Sequence, residues 1–305
     1  MICNLCPRKC NIERSQKNGY CNSPESACIS RAALHLWEEP CISGKNGSGA
    51  VFFSGCNLKC IFCQNSEISR GNRGICVSVE DLSSIMLDLQ GQGAHNINLV
   101  TPSHYIHAII PAIRMAKQNG LTIPIVYNSS GYDSPNSLRA LEGLIDIYLP
   151  DIKYYDSVLS ARFSSAPDYR EVAFTALDEM LRQQPECLFD EDGIIKKGVI
   201  VRHLVLPGHT KDSKLILNHL ASKYGTSLYI SLMSQYTPMR TDLEYSELNR
   251  RLTRREYEKV VDHALSLGLT NGYIQESGAA VSDYIPAFDH ESVTGYGTDD
   301  ASLYS

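Results

Sequence analysis

The chain has 305 residues, 43% of them hydrophobic, enough to bury the core of one α/β barrel without requiring a second domain. Its formal net charge is −6 and it has no long basic stripe, which argues against nucleic acid as the main partner; no apolar stretch approaches the ~20 residues of a membrane span. The 11 cysteines follow an opening Met1-Ile2-Cys3 without a signal-peptide pattern, and are read as reduced thiols in a cytoplasm, partly committed to metal.

Residues 1–45 are expected to form a cysteine-rich segment carrying Cys3-x2-Cys6-x3-Cys10-x10-Cys21, with Cys28 further on. Pro7 and Gly19 supply turn geometry at either end. Four thiolates at this spacing suit a closed tetrahedral zinc site or a second Fe–S cluster, and reduced thiols without metal are the plainer alternative. The segment has no core of its own, so metal would substitute for one. Next comes Leu34-His35-Leu36-Trp37-Glu38-Glu39-Pro40, with the chain's single tryptophan. His35 and Glu38 are within reach of a site further on, although a packed tryptophan with polar neighbours explains the stretch as well. A Ser/Gly-rich linker, Ser43 to Gly49, leads into the main domain, residues 46–288. Cys41 and Cys76 have no partner spacing and are expected to be ordinary small buried or half-buried residues.

From residue 49 strands and helices alternate. Strands are predicted at 49–54, 96–101, 123–129, 145–150, 198–206 and 227–233. Helices are predicted near 79–90, 104–118, 135–142, 168–183, 212–224 and 253–267. The alternation implies βαβ units and a parallel sheet, either a partial (β/α)6 TIM-type barrel or a doubly wound sheet.

The first of these strands, Gly49-Ala50-Val51-Phe52-Phe53, runs into a second cysteine group, Cys56-x3-Cys60-x2-Cys63. Three thiols so spaced cannot all ligate from one helix face, but converge from a loop. They would fill three corners of a [4Fe–4S] cube and leave the fourth iron open to chemistry. A structural zinc or ferredoxin-like site is the alternative, and such sites usually close with a fourth ligand.

Polar residues gather where the other strands end: Thr101, Ser103 and His104; Asn128 and Ser130; Asp151 and Lys153; Arg202 before Pro207-Gly208; Gln235. Together they imply a pocket on one edge of the sheet. Its lysine suits a carboxylate, its oxygens suit an ammonium, and Phe62 offers an aromatic face beside the cysteines.

The pattern Cys56-x3-Cys60-x-Phe62-Cys63 resembles the signature of the radical S-adenosylmethionine (SAM) enzymes. The similarity runs over most of residues 30–290, toward the branch related to pyruvate formate-lyase activating enzyme. That resemblance implies a partial barrel, catalytic cysteines Cys56, Cys60 and Cys63 on a [4Fe–4S] cluster, and SAM as cofactor. Asp151-Ile152-Lys153-Tyr154-Tyr155-Asp156 matches the branch's Asp-x-Lys-x-x-Asp, so Lys153 inherits the SAM carboxylate and Asp151 orders the same end. Arg202 to Pro207-Gly208 matches Arg-x-x-x-x-Pro-Gly, and Asn128 and Ser130 stand where polar groups contact SAM. The sequence departs from the branch in three places. Thr101-Pro102-Ser103-His104 replaces Gly-Gly-Glu, Ser160 stands where a histidine is usual, and Gln235-Tyr236 replaces another. The cysteine-rich start, Trp37 to Pro40 and Tyr127 to Tyr132 resemble activating-enzyme-like proteins without a settled substrate. The implied function is reductive cleavage of SAM to a 5′-deoxyadenosyl radical that abstracts hydrogen. The substrate would be a glycyl radical enzyme, another peptide or a small molecule, with flavodoxin or ferredoxin as electron donor. A non-catalytic Fe–S or zinc protein is the reading of another class.

Three stretches complete the chain. Residues 184–197 are a polar excursion, read as a surface loop, with a hairpin or a lid as the alternatives. Arg250, Arg251, Arg254 and Arg255 open the last helix, read as a solvated face paired with Glu256 and Glu258 or as a docking face for an acidic electron donor. Gly272 to Ser277 is expected to be one more short strand, with Gln275 and Glu276 at the barrel mouth, and residues 289–305 a loose tail.

Overall fold

The computed structural model describes residues 2–71, 73–239, 244–275, 288 and 291–296. In chain order its elements are β1 (Ala27–His35), α1 (Pro40–Ser43), β2 (Ser48–Phe53), α2 (Ser66–Ser69), β3 (Ile75–Val77), α3 (Val79–Gly91), β4 (Ile97–Val100) and α4 (Ile106–Gln118). There follow β5 (Ile125–Ser129), α5 (Pro135–Ala140), β6 (Ile147–Pro150), α6 (Ser157–Ser164), α7 (Tyr169–Gln183), β7 (Leu188–Phe189) and β8 (Ile195–Leu204). The last are α8 (Thr210–Tyr224), β9 (Tyr229–Met233), α9 (Arg254–Ser266) and β10 (Gly272–Ile274).

The sheet runs β10-β9-β8-β6-β5-β4-β2-β1-β3, with β7 paired to β8. From β2 to β10 every neighbouring pair on this path is parallel, and each strand lies beside the one before it in this series. A doubly wound sheet reverses its strand order at a switch point; this one does not. It is therefore an open barrel wall, and the six predicted strands are its staves. Every residue of β2, β4, β5 and β6 is buried, as expected of strands covered on both faces. Outside, the helices close the main core; inside, α1 plugs the floor, where Cys41 and Ile42 meet Val126, Ile147, Leu149, Ile195 and Ile200.

Beyond the predicted elements the fold adds β1, α1, α2, β3 and α6. β1 joins β2 antiparallel and β3 joins β1 antiparallel, so residues 27–35 extend the barrel sheet from within the cysteine-rich segment. α6 follows the Asp151 motif, its N-terminus capped by the Asp156 carboxylate, which accepts from Val158 N at 2.7 Å. The polar excursion, expected to be a surface loop with a hairpin or a lid as alternatives, contains a small hairpin, β7 against β8.

Cys76 corrects the expectation that it has no partner. It faces Cys28 directly across the β1–β3 pair, Cα atoms 3.9 Å apart, and the two are joined as a disulfide. Their separation of 48 residues gives no cue in the sequence; the antiparallel register brings them together. Cys41 is buried, as expected.

Of the stretch read as a tail, residues 291–296 lie against the barrel. Ser292 Oγ accepts from Ala32 N at 3.1 Å, Val293 is fully buried, and the Tyr296 hydroxyl bonds Asp88. Glu276 and the rest of the tail lie outside the described residues. Among the described residues no helix is long and apolar enough to cross a membrane.

Candidate active site

The cysteine loop leaves the C-terminal end of β2 and is pinned from several sides. Ser54 N donates to Cys28 O at 2.8 Å and Gly55 N to Ile68 O at 2.8 Å. Asn57 Nδ2 donates to Tyr132 O at 2.7 Å, and Ile61 N to Phe163 O at 2.9 Å. Gly55 has φ +86°, and a Cβ there would collide with Ser23 Oγ and Cys21 O, so only glycine lets the N-terminal segment approach so closely. Arg8 clamps the same segment down. Its Nε donates to Asn57 O at 2.7 Å, its Nη2 to Ser164 O at 3.0 Å, and its guanidinium lies 4.0 Å from the Tyr20 ring centre.

Cys56, Cys60 and Cys63 line one side of a cavity of about 210 Å³ at the C-terminal edge of the parallel strands. Leu58 N donates to Cys56 Sγ at 3.3 Å and Ser164 Oγ to Cys60 Sγ at 2.9 Å, bonds that favour thiolates. Burial, with Cys60 and Cys56 adding, pushes the Cys63 thiol up to about 12; burial and Cys60 raise Cys56. Three thiols so crowded on one largely buried loop ionise together only around a cationic core. The donor set therefore fits an iron–sulfur cluster bound from a loop. Among the described residues no three His, Cys, Asp or Glu side chains are set to hold a single metal ion, a requirement tighter than that of a multi-iron cube.

The opposite wall is a charged network. Arg202 Nε donates to Asp151 Oδ1 at 2.9 Å, Nη1 to Glu38 Oε2 at 3.0 Å and Nη2 to Asn128 Oδ1 at 2.6 Å. Lys153 Nζ donates to Asp151 Oδ2 at 2.7 Å. Burial acts to raise Asp151, but Arg202 and Lys153 overcome it and hold its carboxyl below the usual range. Burial opposes the charge on Lys153, yet Asp151 and the nearby Cys60 restore it and leave its pKa raised. Both ions thus stay charged at the cavity wall.

Phe62, Thr101, Asn128, Ser130, Asp151, Lys153, Arg202 and Gln235 all line this cavity, as the strand ends implied. Ser103 and His104 do not, which corrects that expectation. Ser103 sits beside the buried Tyr127–Asp133 pair behind the wall. His104, held near 3 mainly by burial, is neutral and donates from Nε2 to Ser54 O at 2.8 Å, so it braces the cysteine loop instead. Glu38 proves central: its Oε1 accepts from Asn98 Nδ2 at 2.9 Å and Asn128 Nδ2 at 3.3 Å. Sequence reasoning missed Asn98 and Glu39; an acidic pair immediately before Pro40, at a helix start, was the available signal.

In the N-terminal segment Cys3, Cys6 and Cys21 are buried and Cys10 is half-buried. Burial first, then Cys21, Cys10 and Cys3, push Cys6 up to about 12, so the four lie within electrostatic reach of one another. Arg250, just before α9, pairs with Glu256, and Arg254 on α9 pairs with Glu258, the solvated-face arrangement.

Residues 50–220 match the radical SAM superfamily. The chain is 30% identical over 271 residues to an uncharacterized protein of Methanocaldococcus jannaschii, an alignment covering 86% of this chain and 74% of that one. Among solved structures, methylornithine synthase aligns at 16% identity with a TM-score of 0.45, over 90% of this chain and 78% of the other.

Proposed function

The chain belongs to the radical SAM superfamily, and from that premise we propose that Cys56, Cys60 and Cys63 hold a [4Fe–4S] cluster beside a SAM site built on Lys153, Asp151 and Arg202. When bound, the cluster and SAM supply a one-electron cleavage of the S–C5′ bond, giving methionine and a 5′-deoxyadenosyl radical that abstracts hydrogen. The chain's own part is placement. Lys153 meets the SAM carboxylate, and Asn128, Ser130 and Thr101 present oxygens to its ammonium. Phe62, buried against Tyr154, Phe163 and Tyr236, offers an aromatic surface to the adenine. The observation that carries this reading is the single cavity lined by all three cysteines and by the charged network.

Activation of a glycyl radical enzyme is the finer reading, supported by the Asp151 to Asp156 motif. A second finer reading, hydrogen abstraction from another peptide or a small molecule, is favoured by a further cavity that opens beside the first. Cys3, Cys6, Cys10 and Cys21 are proposed as a metal site, zinc or Fe–S, and flavodoxin or ferredoxin as electron donor.

The test is anaerobic reconstitution with iron, sulfide and zinc counted per chain, and deoxyadenosine measured with SAM and a reductant. About four irons and deoxyadenosine are expected from the catalytic loop. One zinc or a second set of irons identifies the N-terminal group. Iron without deoxyadenosine under any reductant overturns the reading.

A further inference from the structure

A second cavity, of about 450 Å³, adjoins the first and shares Trp37, Glu38, Arg202, Met233 and Gln235 with it. It lies between the segment after β1 and the β9–β10 side of the sheet, where the barrel wall is open. Its floor holds Glu39, only 8% exposed, and among the described residues its Oε2 has no hydrogen-bond partner. That oxygen is an anomaly that the rest of the network does not resolve. Arg202 turns its Nε, Nη1 and Nη2 to Asp151, Glu38 and Asn128 and acts on Glu39 as a nearby charge, not as a hydrogen-bond donor to Oε2. Glu38, Glu39 and Asp151 set three carboxyls against the two cations Arg202 and Lys153. Burial pushes the Glu39 carboxyl up, Arg202 opposes, Glu38 adds to the push and a hydrogen bond from Ser231 counters it; Oε2, in the lining of the cavity, stays open to one more donor, and a cationic donor would keep the carboxylate ionised.

The surroundings suit such a cation. Leu36, Trp37 and Ile274 form an exposed apolar rim, at 54%, 52% and 49% exposure, over the buried acid. An indole face beside a carboxylate recognises an ammonium or guanidinium with an apolar stem. We propose that this lateral cavity binds the hydrogen-donating substrate and that the substrate carries an amine or guanidine group, paired with Glu39 and covered by Trp37. The proposal rests on the radical SAM reading for the word substrate, and it deepens the second of the two finer readings.

The probe is Nα-acetyl-lysine methylamide, with its uncharged norleucine counterpart and pentylamine as comparisons. They are titrated calorimetrically into reconstituted protein in the presence of SAM, and Trp37, the single tryptophan, gives a local fluorescence signal. The lysine compound is expected to bind saturably and about tenfold more tightly than norleucine, the worth of one charge-assisted hydrogen bond. Glu39→Gln is expected to erase that preference, and Glu39→Asp, which withdraws the carboxylate, to weaken it. Pentylamine binding as tightly as the lysine compound marks a small amine as the source; tighter lysine binding marks a peptide. Equal binding of norleucine, no saturable response, or an unchanged preference in Glu39→Gln overturns the proposal. So does displacement of the lysine compound by SAM, which would give Glu39 to the SAM ammonium. The preference of the wild-type protein decides the matter even if the variants do not fold. Deoxyadenosine formation tests the radical SAM reading separately, so either can fail alone.

Discussion

Cys60 shows how much a single side chain carries. It is buried, it takes a hydrogen bond from Ser164, and it lies between the other two cysteines in sequence. Removing it leaves two thiols, too few to hold a cube with one open iron. Cys60→Ala is expected to lose iron and to form no detectable deoxyadenosine while its circular dichroism spectrum stays that of the wild type. A variant that still cleaves SAM at the wild-type rate would remove the cluster from this loop. Asp151 illustrates a different economy: one carboxylate orders both Arg202 and Lys153, and its value lies in their orientation. An isolated charge so largely withdrawn from solvent would be costly.

At the scale of elements, α6 ties the Asp151 motif to the cysteine loop. Asp156 caps its start, while the Asp212 carboxylate accepts from Tyr155 N and Asp156 N at 3.1 and 2.8 Å. Ser164 at its other end donates to Cys60, and its last carbonyls take Arg8 from the N-terminal segment. The motif's final aspartate thus acts as a helix cap. Asp156→Ala is expected to cost about 1 kcal/mol, read as a lower midpoint in urea unfolding. An unchanged midpoint would show that water satisfies the freed amide equally well. α6 escaped sequence reading because Ser157 to Ser164 has a weak apolar stripe; tertiary contacts hold it.

At the scale of the whole molecule, stability depends on groups buried neutral. His203 is held near 4, mainly by burial, with its ring nitrogens bonded to Ile152 O and Ser213 Oγ. A histidine whose folded pKa is depressed is protonated first in the unfolded chain. Its contribution is complete above about 6.5 and is lost as pH falls toward 4, by about 1.4 kcal/mol per pH unit. Unfolding measured at pH 7 and pH 5 is therefore expected to show a smaller acid-induced loss in His203→Gln than in the wild type. Equal losses would place the acid sensitivity elsewhere.

The amino-acid sequence by itself determined the alternation of strands and helices, the cysteine loop after the first parallel strand, and most of the polar residues at the strand ends. These are local signals: periodicity reports burial, and the spacing of ligands reports what one loop can reach. It left barrel and doubly wound sheet open, and the unbroken strand order from β2 to β10 decided between them. Only the tertiary structure turned Ser103 and His104 behind the wall, joined Cys28 to Cys76, and swung Glu38 and Glu39 from beyond β1 into the barrel. Each of those facts depends on where distant segments meet. The register of β1 on β2 and β3 sets that meeting, and no pattern within a few residues of Glu39 records it.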